Sequence, residues 1–194
     1  MTKIRRRTNA AALLVLSTLT LTATASAANR TEIALEDARV IVSPEGATRI
    51  LLKPTDLGVL EGRLVTDARL ELELSGSTAT EELHVRVHGV SRGWDTASVS
   101  WTYPWEREGG DTVTFFQDTA TLRAGRSADT LSLDVSQFVR AWAEGELGPH
   151  GFLLTTIPLR GDGFDGDAVE LLGALGGSKL VAHWRPMPAV ARGE

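Results

Sequence analysis

Two aromatic side chains stand beside charged groups in a segment rich in proline and glycine, Tyr103-Pro104-Trp105-Glu106-Arg107-Glu108-Gly109-Gly110-Asp111. This composition predicts a loop. An aromatic ring on a loop can stack on a sugar ring, while a nearby carboxylate and guanidinium bond the sugar hydroxyls. The candidate carbohydrate-binding residues are therefore Tyr103, Trp105, Glu106 and Arg107. The alternative for Trp105 is that its indole folds back and covers one end of the core.

A second candidate site is the acidic turn Asp162-Gly163-Phe164-Asp165-Gly166-Asp167. Calcium takes about six to eight hard oxygen ligands from flexible loops of this kind. The candidate calcium ligands are Asp162, Asp165 and Asp167. The spacing is not that of an EF-hand loop. The alternative is therefore a solvated turn in which the Gly and Asp residues favour the turn conformation of the backbone.

Other metal and catalytic chemistry finds little support in the sequence. The chain has no cysteine, which excludes catalytic thiols, thiolate zinc sites and disulfides. His84 and His88 share a strand face, but at about 3.3 Å per residue they lie about 13 Å apart and cannot chelate one ion. We find no nucleophile elbow, HExxH motif or phosphate loop, and we therefore expect no enzyme.

The elements that must position these residues are short strands. Apolar residues recur mostly at every second position, in runs separated by Gly, Asp, Ser and Pro, which indicates an antiparallel sandwich or barrel. In the clearest run, Ala68, Leu70 and Leu72 alternate with charged residues. The predicted strands are 38–42, 48–53, 68–74, 83–87, 111–116, 119–122, 130–133, 151–157, 168–172 and 179–184.

One segment changes period and predicts a short helix. Apolar residues follow Asp134 at the i, i+3, i+4 and i+7 spacing of one helix face, at Val135, Phe138, Val139 and Trp142. Asp134 or Ser136 can cap its start, and Gly145 can end it in a left-handed conformation.

The N-terminus predicts a signal peptide over residues 1–27. A basic stretch is followed by about a dozen apolar residues and then by Ala25-Ser26-Ala27. The apolar run is too short for a transmembrane helix, and no later segment is longer, so we expect an exported protein without a membrane span. Whether export uses the general or the twin-arginine route stays open.

Removal of that segment changes the charge. It takes away Lys3, Arg5, Arg6 and Arg7 and no carboxylate, so 20 Lys and Arg become 16 against 25 Asp and Glu, a formal balance of −9. Nucleic acid is therefore not an expected partner.

Two stretches, 89–101 and 131–154, resemble the DNRLRE domain, a secreted bacterial and archaeal β-sandwich grouped with carbohydrate-binding module family 96. Its Trp-acid-x-x-x-Val-x-Trp motif is matched by Trp94, Asp95, Val99 and Trp101. Its Asp-Val-Thr motif, the one-turn helix and the strand after it are matched by Asp134, Val135, Ser136, Val139, Trp142, Gly145 and Gly151.

This resemblance implies an all-β fold, an antiparallel jelly-roll β-sandwich with one short helix over residues 28–184. The proline-containing segment after Trp184 is expected to form a disordered tail at 185–194. It also implies a non-catalytic protein that binds an extracellular or cell-wall polysaccharide. The alternative is a structural or adhesive envelope protein that assembles with other exported proteins through its sandwich edges.

The motif residues are expected to be structural rather than ligand-binding. Burying an indole removes about 150–250 Å² from water and contributes roughly 4–6 kcal/mol, a large fraction of a domain's net stability. The expected structural set is Trp94, Asp95, Trp101, Asp134, Trp142 and Gly151. Trp184 alternates with Leu180 and Ala182 and is expected to face the core.

Overall fold

The computed structural model describes residues 28–73, 83–122, 130–158 and 177–187. In this part of the chain the fold is all-β with one α-helix, as predicted. The strands are β1 Asn29–Val42, β2 Thr48–Pro54, β3 Arg63–Glu73, β4 Leu83–Val90, β5 Thr112–Leu122, β6 Thr130–Asp134, β7 Phe152–Pro158 and β8 Lys179–Pro186. Helix α1 spans Ser136–Ala143, and a 3-10 turn spans Gly58–Leu60.

Several predicted boundaries were wrong; β3 begins at Arg63 rather than at 68, and β4 ends at Val90 rather than at 87. Strand β1 begins at Asn29 rather than at 38, since pairing with β8 extends it through a polar stretch. The predicted strands 111–116 and 119–122 are one strand, β5, in which the Asp118 carboxylate accepts the backbone N–H of Asp134 at 2.7 Å instead of starting a turn. Strand β8 continues two residues past Trp184, because Pro186 stands opposite Arg63. The predicted signal peptide, the strand 168–172 and residues 188–194 lie outside the described residues.

All strand pairs are antiparallel among the described residues, and β1 joins two layers. Its first half pairs with β8, and its second half pairs with β2, with a register shift between Leu35 and Asp37. The five-stranded layer has the order β5-β4-β7-β2-β1, and the four-stranded layer has the order β1-β8-β3-β6. The sandwich-like architecture predicted from the alternating residues is therefore present.

The main core lies between the two layers. Ile50, Leu52 and Phe152 from the five-stranded layer share one buried cluster with Leu70 and Leu180 from the four-stranded layer. Each of these side chains is at most 2% exposed. The period-2 pattern of the sequence therefore predicted the correct inward faces.

Helix α1 closes one end of the sandwich. Its apolar face places Phe138 and Trp142 in the main core, with ring centroids 6.3 and 5.0 Å from the Phe152 ring. On its other side the Arg140 guanidinium donates to the carbonyl oxygens of Val65 and Thr66, at 2.9 and 3.2 Å, where β3 shifts its register against β8. The helix thus provides hydrogen-bond donors for backbone carbonyls at the irregular part of β3, in addition to burying aromatic surface.

The ends of α1 follow the predicted chemistry. The Asp134 carboxylate accepts the backbone N–H of Ser136 at 2.9 Å. Gly145, at φ 77°, ends the last turn with its N–H donating to the Trp142 carbonyl. None of the described helices is long and apolar enough to cross a bilayer.

The absence of a side chain at Gly89 on β4 leaves space for the Phe138 ring of the helix, so a larger residue there should destabilise the fold. A Cβ at Gly89 would lie 2.4 Å from a ring carbon of the buried Phe138. We expect Gly89→Ala to lower the free energy of unfolding by about 1–3 kcal/mol through overpacking, measured by urea denaturation. In the double variant Gly89→Ala with Phe138→Leu, the loss should be smaller than the sum of the two single losses.

Gly93→Ala is the matched control, since a Cβ there would meet its nearest atom, on the His150 ring, at an ordinary 3.6 Å. An equal effect of both glycine substitutions would contradict the packing explanation.

Candidate functional site

A second buried cluster lies on the outer face of the five-stranded layer. Leu51 and Leu153 point away from the main core, because their neighbours along β2 and β7 point into it. Residues 91–111, here called the aromatic loop, connect β4 to β5 and cover these two side chains. The loop contributes Trp94, Val99 and Trp105 to the cluster, with Trp101 partly buried against it.

Each fully covered indole of the loop donates a hydrogen bond to a backbone carbonyl. Trp94 Nε1 bonds the His150 oxygen at 2.7 Å, and Trp105 Nε1 bonds the Ser100 oxygen at 2.8 Å. Trp105 is only 8% exposed. The indole of Trp105 therefore folds back onto the core, which was the alternative to an exposed ring. Its ring face is not open for stacking, so the prediction that Trp105 binds a sugar was wrong.

Arg92 and Asp111 fix the two ends of the aromatic loop against each other. The Asp111 carboxylate accepts the backbone N–H groups of Glu106 and Arg107, both at 2.9 Å. The Arg92 guanidinium bonds this carboxylate at 3.2 Å, the Pro104 carbonyl at 3.1 Å and the Glu106 carboxylate. Partial burial raises the pKa of Asp111, but the two N–H bonds and the Arg92 and Arg107 charges outweigh it, so the pKa lies below its ordinary value.

These contacts leave a polar recess of about 360 Å³ beside the loop, lined in part by Ser91, Arg92, Glu106 and Asp111. Glu106 and Arg107, two of the predicted sugar-binding residues, lie at this recess with exposed side chains. Tyr103 is 59% exposed and precedes Pro104, whose carbonyl accepts from Arg92. The loop therefore offers an open aromatic ring and, at the recess, fixed hydrogen-bonding groups.

The expected structural residues bring the two sequence motifs together. Asp95 caps a turn by accepting the N–H of Ala97 at 2.9 Å. Gly151 has φ 91°, and a Cβ there would lie 2.2 Å from the Leu52 carbonyl oxygen, so only glycine fits. The Gly151 carbonyl accepts the N–H of Val90, one residue before the aromatic loop starts. Trp184 is half-buried against the main core, as predicted.

Neither a protein-family model nor a curated protein matches this chain. The DNRLRE resemblance therefore stays a prediction that rests on the motif residues.

The predicted calcium ligands Asp162, Asp165 and Asp167 lie outside the described residues, so calcium binding stays a prediction. Among the residues that the structure describes, no group of three His, Asp or Glu side chains is arranged to hold a metal ion.

Sequence reasoning missed a group of basic residues on the same outer face, beyond the aromatic loop. They are here called the basic face and comprise Arg39, Arg49, His84, Arg86 and His88. His84, Arg86 and His88 occupy the outward positions of β4, a pattern visible in the sequence. Strand order, which no local pattern shows, brings Arg49 near them: its charge helps to lower the pKa of His88.

Two aromatic residues of the loop should behave differently when removed. Trp105→Ala should lower the free energy of unfolding by about 3–5 kcal/mol, because it opens a cavity in the second cluster. Tyr103→Ala should change it by less than about 0.5 kcal/mol, since the ring is exposed. Chemical denaturation of the two variants measures this difference. Equal stability of Trp105→Ala and wild type would contradict the buried position of the indole.

Stability should fall in two stages as the pH decreases. Burial, then the Arg86 and Arg49 charges, lower the pKa of His88 below 6.5, so the unfolded chain binds more protons and folding weakens as the pH falls through that region. Asp111, with its pKa below 3.8, stabilises the fold above that value and loses its contribution as the pH falls further. Urea unfolding at pH 7.5, 5.5 and 3 should show both stages.

Two variants separate these stages. His88→Gln should reduce the first decline, and Asp111→Asn the second. Part of each decline should remain, because the pKa values of His150 and Asp134 are also lowered. Unchanged pH profiles in both variants would refute the assignment.

Proposed function

We propose that this protein is an exported, non-catalytic β-sandwich that binds an extracellular or cell-wall polysaccharide. The observation that supports it most directly is the exposed Tyr103 ring on a loop held in place by buried indoles and by the contacts of Arg92 with Asp111. A rigid aromatic platform binds with little loss of conformational entropy, which favours weak stacking interactions.

The polar recess on the same loop has the chemistry that a sugar needs. Glu106 supplies an acceptor and Arg107 a donor there, and Thr112 and Thr114 add hydroxyls to its lining. Trp105 anchors the loop in the second cluster and does not contact the ligand. The proposed contact residues are thus Tyr103, Glu106 and Arg107.

The sequence motifs and the N-terminus add support. The DNRLRE resemblance implies the same ligand class and a jelly-roll strand order, and the basic, apolar and Ala-x-Ala segments of residues 1–27 are typical of export. The acidic turn with Asp162, Asp165 and Asp167 adds calcium as a candidate cofactor.

The proposal is tested by affinity electrophoresis of the purified protein in gels that contain single neutral or acidic polysaccharides, with and without calcium. We expect retardation on at least one of them, and at least about tenfold weaker binding by Tyr103→Ala, because stacking needs the ring. Tyr103→Phe should keep most of the affinity.

Leu64→Ala is the matched control, since Leu64 is also exposed, on β3 of the other layer. Retardation on no polysaccharide, together with co-purification of exported proteins, would favour the structural envelope protein instead. Equal losses for Leu64→Ala and Tyr103→Ala would contradict the proposed site.

A further inference from the structure

The basic face differs in charge from the outer face of the opposite layer. On the four-stranded layer the cations meet carboxylates: Arg69 lies 3.7 Å from Asp67, and Lys179 lies 3.1 Å from Glu32. In the described part of the chain no ion pair involves Arg39, Arg49 or Arg86. These three arginines thus form a group of cations without a carboxylate partner among the described residues, on one outer face of a chain whose formal net charge is −5.

Two of these arginines are held by neutral partners. Arg49 donates to the Gly109 carbonyl at 2.6 Å, and its guanidinium lies 4.8 Å from the centre of the Trp101 ring. Arg86 Nε donates to the Thr119 hydroxyl at 3.4 Å. Neither partner neutralises the charge, so both guanidinium groups keep their attraction for an anion.

The strand order spaces these cations. Arg49 on β2 and Arg86 on β4 are separated by β7 alone, which corresponds to about 10 Å between their strands. Arg39 lies on β1, one strand further out. Hydroxyl and amide groups occupy neighbouring outward positions, among them Thr119, Thr121, Gln117 and Thr155. The face therefore alternates positive charges with uncharged hydrogen-bonding groups.

We propose that the basic face binds an anionic polysaccharide, with Arg39 and Arg86 contacting its acidic groups and the threonine hydroxyls contacting its sugar hydroxyls. This inference rests on the proposed function for the ligand class, but it assigns a surface separate from Tyr103. Arg39 and Arg86 lie three strands apart, so a polymer with widely spaced charges fits them. Nucleic acid carries a charge about every 1.7 Å and would be repelled by an acidic chain.

His88 makes this binding depend on pH. Its ring faces Arg86, Arg49 and the Thr155 hydroxyl, and among the described residues no carboxylate lies against it. Burial, together with the Arg86 and Arg49 charges, disfavours protonated His88. A bound anion would offset the repulsion by the two arginines, so binding takes up protons and strengthens as the pH falls.

The test measures binding of the full chain to polygalacturonate, dextran sulfate and neutral dextran at pH 7.5 and 5.5, each at 0.1 and 0.5 M NaCl. We expect binding to at least one of the two anionic polymers, several-fold tighter at pH 5.5 and weaker in high salt. The double variant Arg39→Gln with Arg86→Gln should bind at least tenfold more weakly and show a smaller salt effect. His88→Gln should reduce the pH effect.

The matched control is the double variant Arg30→Gln with Arg69→Gln, which removes the same charge from the opposite layer and should bind within twofold of wild type. Tyr103→Ala distinguishes this proposal from the proposed function, because it should weaken glycan stacking while leaving the salt effect unchanged. Equal losses in both arginine pairs, or no binding of either anionic polymer by wild type, would overturn the assignment of the basic face.

Discussion

Strands β2 and β7 carry buried apolar side chains on the outer face of their layer as well as in the main core, and this constraint organises the rest of the molecule. Leu52 and Phe152 enter the main core, while their neighbours Leu51 and Leu153 point the other way and are at most 1% exposed. An uncovered apolar patch in the middle of a sheet would attract other chains. The aromatic loop removes it from water, so the loop belongs to the fold as much as to the site.

The same constraint gives the loop residues different roles. Trp94 and Trp105 cover Leu51 and Leu153, and their indole N–H groups donate to backbone carbonyls. The residues left for a ligand are those that the cover does not need: Tyr103, Glu106 and Arg107 at the rim, and the cations of the adjoining sheet. Rigidity at the site is therefore a by-product of core formation.

Local pattern predicted much of the fold and less of the site. Alternation identified β3, β4 and the inward residues of β7, and the i, i+3, i+4 spacing identified α1, because these signals depend on neighbours along one strand or helix. Exposure of Trp105 was not decided by its loop composition, since it depends on Leu51 and Leu153 some fifty residues away in either direction. The basic face required knowing that β7 lies between β2 and β4, which is a property of the whole chain. The polar half of β1 was missed because its strand character comes from pairing with β8.

The antiparallel pairing of β1 with β8 also bears on how the molecule carries mechanical load. Asn29 stands opposite Trp184, so the beginning of β1 and the last part of β8 lie side by side. A pulling force applied across these two points opens the β1–β8 ladder one hydrogen bond after another, starting at that end. A force between Trp184 and the far end of β1 loads the hydrogen bonds of this ladder in shear at once. Resistance to tension therefore depends on where a tether is attached, and not only on thermodynamic stability.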